Sequence, residues 1–178
     1  MHCGYPDCIL PCIYLLGCIS PAKNNYDKLF PLDHIKKNGV NCLITLPSTI
    51  SRIKKYYGSK KIKIRIKCLL LCGEPFYTDI LNYVVKFIKP KNLFNCYGST
   101  ELSPWVFSYK YNYQDMPQIK KYGLLPIGKN FFNVIFSIFK NELIISGPMV
   151  NTYLNKKEKF TNHKKKNGKT FFFTRDIV

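Results

Sequence analysis

The sequence is poor in acidic residues, and it contains no long hydrophobic run and no Cys-x-x-Cys pair. Its apolar stretch at residues 8–19 has 12 residues, whereas a membrane-spanning helix needs about 20. We therefore expect no membrane span, and we expect this stretch to be a buried strand or helix. A zinc site near the N-terminus is disfavoured, because the cysteine spacings are not those of a finger or ribbon. The candidate zinc ligands are His2, Cys3, Cys8 and Cys12.

The shortage of acids leaves a net charge of +18, from 28 lysines and arginines against 10 acidic residues. Such a charge is typical of proteins that bind nucleic acid or anionic membranes. Here the lysines are scattered, and the chain is also rich in Asn, Ile, Tyr and Phe, so a general bias in composition explains the charge at least as well. The densest cluster, residues 164–166, is interpreted as a solvated loop. We predict no nucleic-acid partner. The eight cysteines, without a secretory signal of the usual form, indicate a reducing cytoplasm.

Apolar runs alternate with helical patterns in the first part of the chain. A hydrophobic content of 46% is typical of a globular protein, and strand-helix alternation predicts a mainly parallel sheet with flanking helices. The predicted strands are 40–46, 66–72 and 93–97, and the predicted helices are 29–37, 48–57 and 78–88.

After Pro104 the runs become aromatic and β-branched, which predicts a β-rich lobe containing a hairpin. We therefore expect an α/β lobe over residues 1–104 and a β-rich lobe over residues 105–178. Residues 112–122, within the second lobe, are predicted to be a surface loop.

Residues 95–101 read Asn-Cys-Tyr-Gly-Ser-Thr-Glu and follow an apolar pair. A strand that ends there delivers its polar residues to the carboxyl edge of a parallel sheet, where such folds bind ligands. Tyr97 offers a flat face to a base, and Gly98 allows a ligand close to the backbone. Thr100 can donate to a phosphate oxygen and Glu101 can hold Mg²⁺. The alternative interpretation is an ordinary strand, a Gly-Ser turn and a helix start.

These seven residues resemble the Asn-x-Tyr-Gly-x-Thr-Glu core motif of the adenylate-forming superfamily, which includes acyl-CoA synthetases, amino-acid adenylation domains and D-alanine–carrier protein ligases. Further blocks resemble other core motifs of that superfamily in their order. They are Leu-Leu-Leu-Cys-Gly-Glu-Pro at 69–75, Leu-Pro-Ile-Gly-Lys at 125–129, the block at 141–148, Tyr-Leu-Asn at 153–155 and Thr-Arg-Asp at 174–176. The resemblance covers essentially this entire chain, but only the later part of a full enzyme's large domain.

The resemblance implies a reaction in which a carboxylate attacks the α-phosphate of ATP and a carrier thiol then takes the acyl group. It implies ATP or AMP and Mg²⁺ as cofactors. It also assigns roles to individual residues: Gly73 and Glu74 to the adenine and substrate wall, Asn95 to the adenine edge, Tyr97 to stacking on the ring with Gly98 beside it, Thr100 to the α-phosphate, Glu101 to Mg²⁺ and Asp176 to the ribose hydroxyls.

Cys72 is the sequence's clue to the substrate. It gives Cys-Gly-Glu, which resembles D-alanine–carrier protein ligases, where many other members have Gly-Gly-Glu. The resemblance implies that this sulfur narrows the carboxylate pocket, with Leu69, Leu71 and Cys96 as further apolar walls, so that a small amino acid is the substrate. The alternative is that Cys72 is simply a small buried residue.

Two departures and two absences set this chain apart from the family pattern. Arg175 stands where the family has glycine, and Thr152 stands before Tyr153 where glycine is usual. The family's Ser/Thr/Gly-rich phosphate loop followed by Lys-Gly is not in the sequence, nor is the C-terminal domain with its catalytic lysine. We therefore predict a fragment that is inactive alone. The alternatives are an inactive remnant, or half of a split enzyme whose complementary chain carries the phosphate loop; a basic RNA-binding protein ranks third.

Overall fold

A computed structural model describes residues 9–58, 64, 66–102, 105–131, 133–150 and 162–178. Motif residues 152–155 and three of the zinc candidates, His2, Cys3 and Cys8, lie outside these ranges. One sheet has five strands in the order β1-β2-β3-β4-β5, and a second has four in the order β6-β7-β9-β8. The strands are β1 (Cys42–Thr45), β2 (Cys68–Cys72), β3 (Asn92–Tyr97), β4 (Phe107–Lys110), β5 (Lys129–Asn130), β6 (Ile135–Phe139), β7 (Glu142–Ser146), β8 (His163–Lys166) and β9 (Lys169–Ile177).

Helices connect the first three strands, which pair in parallel. The α-helices are α1 (Leu10–Tyr14), α2 (Asn25–Leu29), α3 (Pro31–Asn38), α4 (Pro47–Tyr57), α5 (Thr78–Tyr83) and α6 (Met116–Tyr122). A π-helical segment, Val84–Ile88, extends α5, and two 3-10 turns lie at Thr100–Leu102 and Tyr113–Asp115. The predicted α/β fold, a mainly parallel sheet with flanking helices followed by a β-rich part, is confirmed, and the structure shows that the β-rich part contains an antiparallel sheet.

One face of the first sheet packs under the helices. Leu69, Leu71 and Leu93 alternate onto this face and join a core built with Ile50 and Ile53 of α4. Four residues of β2 and α4, namely Leu69, Leu71, Ile50 and Ile53, are 0% exposed. Burying one leucine-sized side chain contributes about 1.5 to 3 kcal/mol. The helical period that predicted Ile50 and Ile53 to face inward is confirmed.

The start of α4 differs from the prediction that Ser48 caps it. Leu46 occupies the cap position and Pro47 begins the helix, where its fixed φ and missing N–H carry no penalty. Ser48 therefore lies inside the first turn, and its side chain bonds to a residue of another element, described below.

The apolar stretch near the N-terminus is not buried as predicted. Its helix α1 has only five residues, and the side chains of Ile13, Tyr14, Leu15 and Leu16 are between 59% and 95% exposed. Neither of the two clusters of buried core residues includes a described residue of this stretch.

Residues 112–122 form helix rather than the predicted loop. The Asn112 side chain accepts from the Gln114 amide at the start, and Gly123 ends α6 in the left-handed conformation. Ile119 is 1% exposed and joins the main core. Ile119 is the one buried residue of this short helix. The sequence therefore shows no helical period here and predicts a loop.

The second sheet begins with the predicted hairpin, β6 and β7, whose turn residues Lys140 and Asn141 both have positive φ. Residues 164–166 lie in exposed strand β8, not in a loop. Strands β4 and β5 pair antiparallel within the first sheet. The change of sheet therefore falls between β5 and β6, and not at the change of sequence character near residue 104. None of the helices in the described residues is long and apolar enough to cross a membrane.

Candidate functional site at the carboxyl edge of the parallel sheet

The carboxyl ends of β2 and β3 are neighbours in the sheet. Cys72 is the register partner of Cys96, so Gly73 and Glu74 leave one strand beside the point where Tyr97 and Gly98 leave the next. Gly73 turns the chain with a φ of 79°, a conformation that glycine adopts without steric cost. The structure thus brings together the two blocks that the sequence predicted to face one ligand.

Glu74 ties this edge to the start of α4. Its carboxylate accepts from the Ser48 backbone N–H at 2.8 Å and from the Ser48 hydroxyl at 2.9 Å. A carboxylate at a helix N-terminus satisfies an otherwise unpaired N–H and meets the positive end of the helix dipole. Sequence reasoning missed this partnership, because the two residues are 26 positions apart.

Asn95 is buried, with 5% exposure, and its side-chain amide donates to the Pro126 carbonyl at 2.8 Å. Next to Pro126, the Leu125 N–H donates to the Phe76 carbonyl at 2.9 Å. The segment around Leu125 therefore joins β3 to the loop that follows β2. Asn95 fixes that segment, and its contact with an adenine edge stays a prediction.

Tyr97 connects the two sheets. Its hydroxyl donates to the Asp176 carboxylate on β9, and its ring packs edge-on against Phe107, with ring centroids 6.0 Å apart. Burial, followed by the hydrogen bond to Asp176, raises the pKa of Tyr97 above its usual value. The predicted base-stacking and ribose-binding residues are thus in direct contact.

A bulge in β9 presents Asp176 to Tyr97. Glu142 pairs with Ile177 and Ile144 with Phe173, so residues 174–176 stand opposite Leu143 alone. Within the bulge, Arg175 has a φ of 64° and its N–H donates to the Glu142 carboxylate at 2.8 Å. A left-handed φ favours glycine, which explains why the resembled motif has glycine where this chain carries Arg175.

The turn after β3 carries the predicted phosphate and Mg²⁺ residues. Thr100 is exposed, Glu101 is half-buried, and both lie in the 3-10 turn. The Ser99 hydroxyl oxygen is buried and has no hydrogen-bond partner among the residues that the structure describes. Buried hydroxyls are normally paired, so this atom fits a site for an oxygen-bearing ligand, and sequence reasoning gave Ser99 no role.

The described residues contain no cluster of three or more potential metal ligands. Mg²⁺ commonly binds through one or two carboxylates and completes its shell with waters and substrate phosphates. Glu101 is the single carboxylate of this 3-10 turn. One carboxylate is enough for an Mg²⁺ ion whose other ligands come from a bound nucleotide and water.

The four predicted substrate-pocket residues divide between the two faces of the sheet. Leu69 and Leu71 are fully buried in the helix-covered core, so they do not line a pocket, and this corrects the prediction. Side chains alternate along a strand, so Cys72 points to the face opposite that of Leu69 and Leu71, and its register partner Cys96 points to the same face as Cys72. The two cysteines are 3% and 4% exposed. The Cys96 sulfur lies 3.8 Å from the Ser108 hydroxyl.

A cavity of about 700 Å³ opens at the opposite, amino-terminal edge of the same sheet. It is lined by Val40, Ile64 and Ile66 together with lysines, namely Lys36, Lys67, Lys89 and Lys91. None of the predicted site residues borders it.

Fold and site together define a class of protein. An α/β sheet with Gly-Glu and Tyr-Gly-Ser-Thr-Glu at adjacent strand ends, joined to an aspartate from a second sheet, has the arrangement of an adenylate-forming domain.

Residues 3–145 match the AMP-binding enzyme family, and the chain belongs to that family. It is 31% identical over 129 residues to surfactin synthase subunit 3 of Bacillus subtilis, which covers 64% of this chain and 10% of that protein. It is 29% identical over 164 residues to bacitracin synthase 2 of Bacillus licheniformis, which covers 82% of this chain and 6% of that protein.

Among solved structures, the adenylation domain AlmE of Vibrio cholerae, in complex with glycyl-adenosine-5'-phosphate, matches with a TM-score of 0.73 at 19% identity. The match covers 87% of this chain and 32% of AlmE. The chain therefore spans a minor part of the proteins that it matches.

Proposed function

We propose that this chain forms the adenylate-binding edge of an enzyme that activates a small amino acid with ATP. The observation that carries the proposal is the contact between the Tyr97 hydroxyl and the Asp176 carboxylate beside the strand ends that bear Gly73 and Gly98. Family membership supports it, as does the likeness of the fold to a domain that holds a glycyl adenylate.

In this proposal the side chains act by position and charge. The Tyr97 ring supports the base with Gly98 beside it, Asp176 accepts from the ribose hydroxyls, and Thr100 with Ser99 donates to the α-phosphate. Glu101 holds Mg²⁺. ATP supplies the phosphorus centre that the substrate carboxylate attacks, with pyrophosphate leaving, and charges fixed around that centre lower the barrier.

We propose a small amino acid such as D-alanine as the substrate and a carrier-protein thiol as the acceptor. Cys72 and Cys96 are the paired residues at the strand ends on the face away from the helix-covered core. Two sulfur-bearing side chains there narrow the space more than glycines would. The glycyl group held by AlmE is an acyl group of that small size.

We further propose that a complementary chain carrying the phosphate loop packs on the sheet face away from the helices. Ile44, Leu70 and Phe94 alternate onto this face and are only half-buried. Neither of the core clusters formed by the described residues includes them. Apolar side chains on a sheet face favour burial against a second layer. The alternative, an inactive remnant, predicts no such partner.

Pyrophosphate exchange measures activation directly. We expect the 178-residue chain to show no exchange with ATP and glycine or D-alanine, because its sequence holds neither the phosphate loop nor the catalytic lysine of the family. Exchange above the level of a Glu101→Ala control would contradict the proposal that this chain is inactive alone.

Titration calorimetry tests the nucleotide site. We expect AMP to bind about as tightly as ATP, because contacts to the β- and γ-phosphates are the ones that the phosphate loop supplies. Asp176→Ala should weaken AMP binding about 10- to 100-fold, since a hydrogen bond to a charged group contributes about 1.5 to 3 kcal/mol.

The matched control is Asp79→Ala, which removes an exposed carboxylate that pairs with Lys54 at 3.0 Å on the helical side. It should leave AMP binding unchanged. Equal affinities in the wild type and Asp176→Ala would remove the proposed ribose contact, and much tighter ATP than AMP binding would contradict the missing phosphate contacts.

A further inference from the structure

Two cysteines begin neighbouring strands at the edge of the sheet away from the nucleotide site. Cys42 is the first residue of β1, Cys68 is the first residue of β2, and the two are register partners in a parallel pair. Neighbouring strands lie about 4.8 Å apart, and register partners point to the same face of a sheet. Both cysteines are free, Cys42 is exposed and Cys68 is half-buried.

The backbone holds the two strand starts together. The N–H groups of Lys67 and Cys68 both donate to the Asn41 carbonyl, at 2.7 Å and 3.1 Å. Asn41 directly precedes Cys42, so the peptide units next to the two cysteines are joined. The thiols are therefore preorganised, and a ligand that needs both of them does not have to order two separate segments.

The thiols interact with each other. Each thiol affects the pKa of the other. Burial first, and then Cys42, raise the pKa of Cys68 to about 11, so the pair is protonated at neutral pH. The other groups that act on the pair are Cys12, Cys96 and Lys110.

We propose that Cys42 and Cys68 form a dithiol site that captures a soft, thiol-seeking centre needing two sulfur ligands. Structural zinc is a poor fit, because it takes four protein ligands and the described residues hold no cluster of three or more metal-binding side chains. Soft centres prefer sulfur donors, and trivalent arsenic with one organic substituent needs only two.

The capture step balances without an oxidant. Phenylarsine oxide and the two thiols form two arsenic–sulfur bonds, the arsenic–oxygen bond breaks, and both thiol protons leave in one water molecule. Arsenic stays trivalent throughout. The site lies at the amino ends of the strands, whereas Gly73 and Gly98 follow the carboxyl ends, so it is independent of the proposed nucleotide edge.

The test treats the reduced 178-residue protein with one equivalent of phenylarsine oxide, digests it with trypsin and maps the products by mass spectrometry. We expect arsenic to bridge the peptides 38–52 and 68–86, which contain Cys42 and Cys68. Cys42→Ser and Cys68→Ser should each reduce arsenical affinity about 100-fold or more, since the second bond to a tethered site is effectively intramolecular. The Cys68 variant also separates Cys68 from Cys72, which lies in the same peptide.

Cys18→Ser is the matched control, because Cys18 is an exposed free thiol outside the pair. It should leave the bridge and the affinity unchanged, and circular dichroism should show the same fold in all three variants. Arsenic found only on other cysteines, or a bridge that persists in Cys42→Ser or Cys68→Ser, would overturn the proposal.

Discussion

Gly128→Ala is expected to destabilise the protein by about 3 to 5 kcal/mol, or to prevent folding altogether. A Cβ atom on Gly128 would lie 2.1 Å from the Ser108 carbonyl oxygen and 2.5 Å from the Tyr109 nitrogen. Both are backbone atoms of β4, so no side-chain rotation relieves the clash. The residue also has a φ of 87°, which adds strain of about 1 to 2 kcal/mol for a residue with a Cβ.

Urea unfolding followed by circular dichroism measures the loss. Gly123→Ala is the control, because Gly123 has a φ of 77° but nothing lies within 4 Å of its Cβ position. The control should cost about 1 kcal/mol, from backbone strain alone. Equal losses in the two variants would show that the close approach to β4 is not what requires glycine at position 128.

The strands and the shared strand edge could be predicted from sequence because their signals are local. Each of the first three strands is an apolar run followed by a glycine or proline within a few residues, and that pattern also places Gly73 and Gly98 at strand ends. The need for glycine at position 128 could not be predicted in this way. It arises because the backbone of β4 passes close to Gly128, and no residue near position 128 in the sequence indicates that contact.

The face of β2 could not be read from its sequence, Cys-Leu-Leu-Leu-Cys. A strand with no polar residue has no alternation to show which side meets the helices. The family resemblance implies that Leu69 and Leu71 line a substrate pocket, and β2 has no alternation that argues against it, yet both residues pack beneath α4. The pairing of Ser48 with Glu74 was missed for a related reason: Ser48 follows Pro47 and has the residue type of a helix cap, and its partner is brought close only by the tertiary fold.

Position 95 shows how a motif residue can carry a structural function that the motif does not reveal. The Asn95 amide donates to the Pro126 carbonyl, and this hydrogen bond joins β3, which leads to Tyr97, to the segment around Pro126. A residue that is required for this bond would be needed in the family whether or not it also contacts an adenine ring. Asn95→Asp keeps the size and shape of the side chain but replaces the amide that donates to the Pro126 carbonyl.

We expect Asn95→Asp to make stability depend on pH. An ionised carboxylate at this buried position has no hydrogen to donate to the Pro126 carbonyl and loses most of its hydration, so its pKa in the folded state should rise above the unfolded value of about 3.9. Below pH of about 4 the acid is protonated in both states and its hydroxyl can donate to Pro126, so the variant should approach wild-type stability. As pH rises, the unfolded state loses its proton first, so the folded state holds more protons and the free energy of unfolding falls until the folded-state pKa is passed.

The expected loss at pH 7 is about 3 to 5 kcal/mol, the cost of an uncompensated buried charge. Urea midpoints of the variant and the wild type between pH 4 and pH 8 measure the difference between them, which removes the pH dependence that both proteins share. Asn92→Asp is the control on the same strand, because Asn92 is half-buried and its amide makes only a 3.5 Å contact with the Lys67 carbonyl. Its difference from wild type should change little with pH. A pH-independent difference for Asn95→Asp would mean that water or a cation reaches position 95, and the closed contact with Pro126 would then not be the reason for asparagine there.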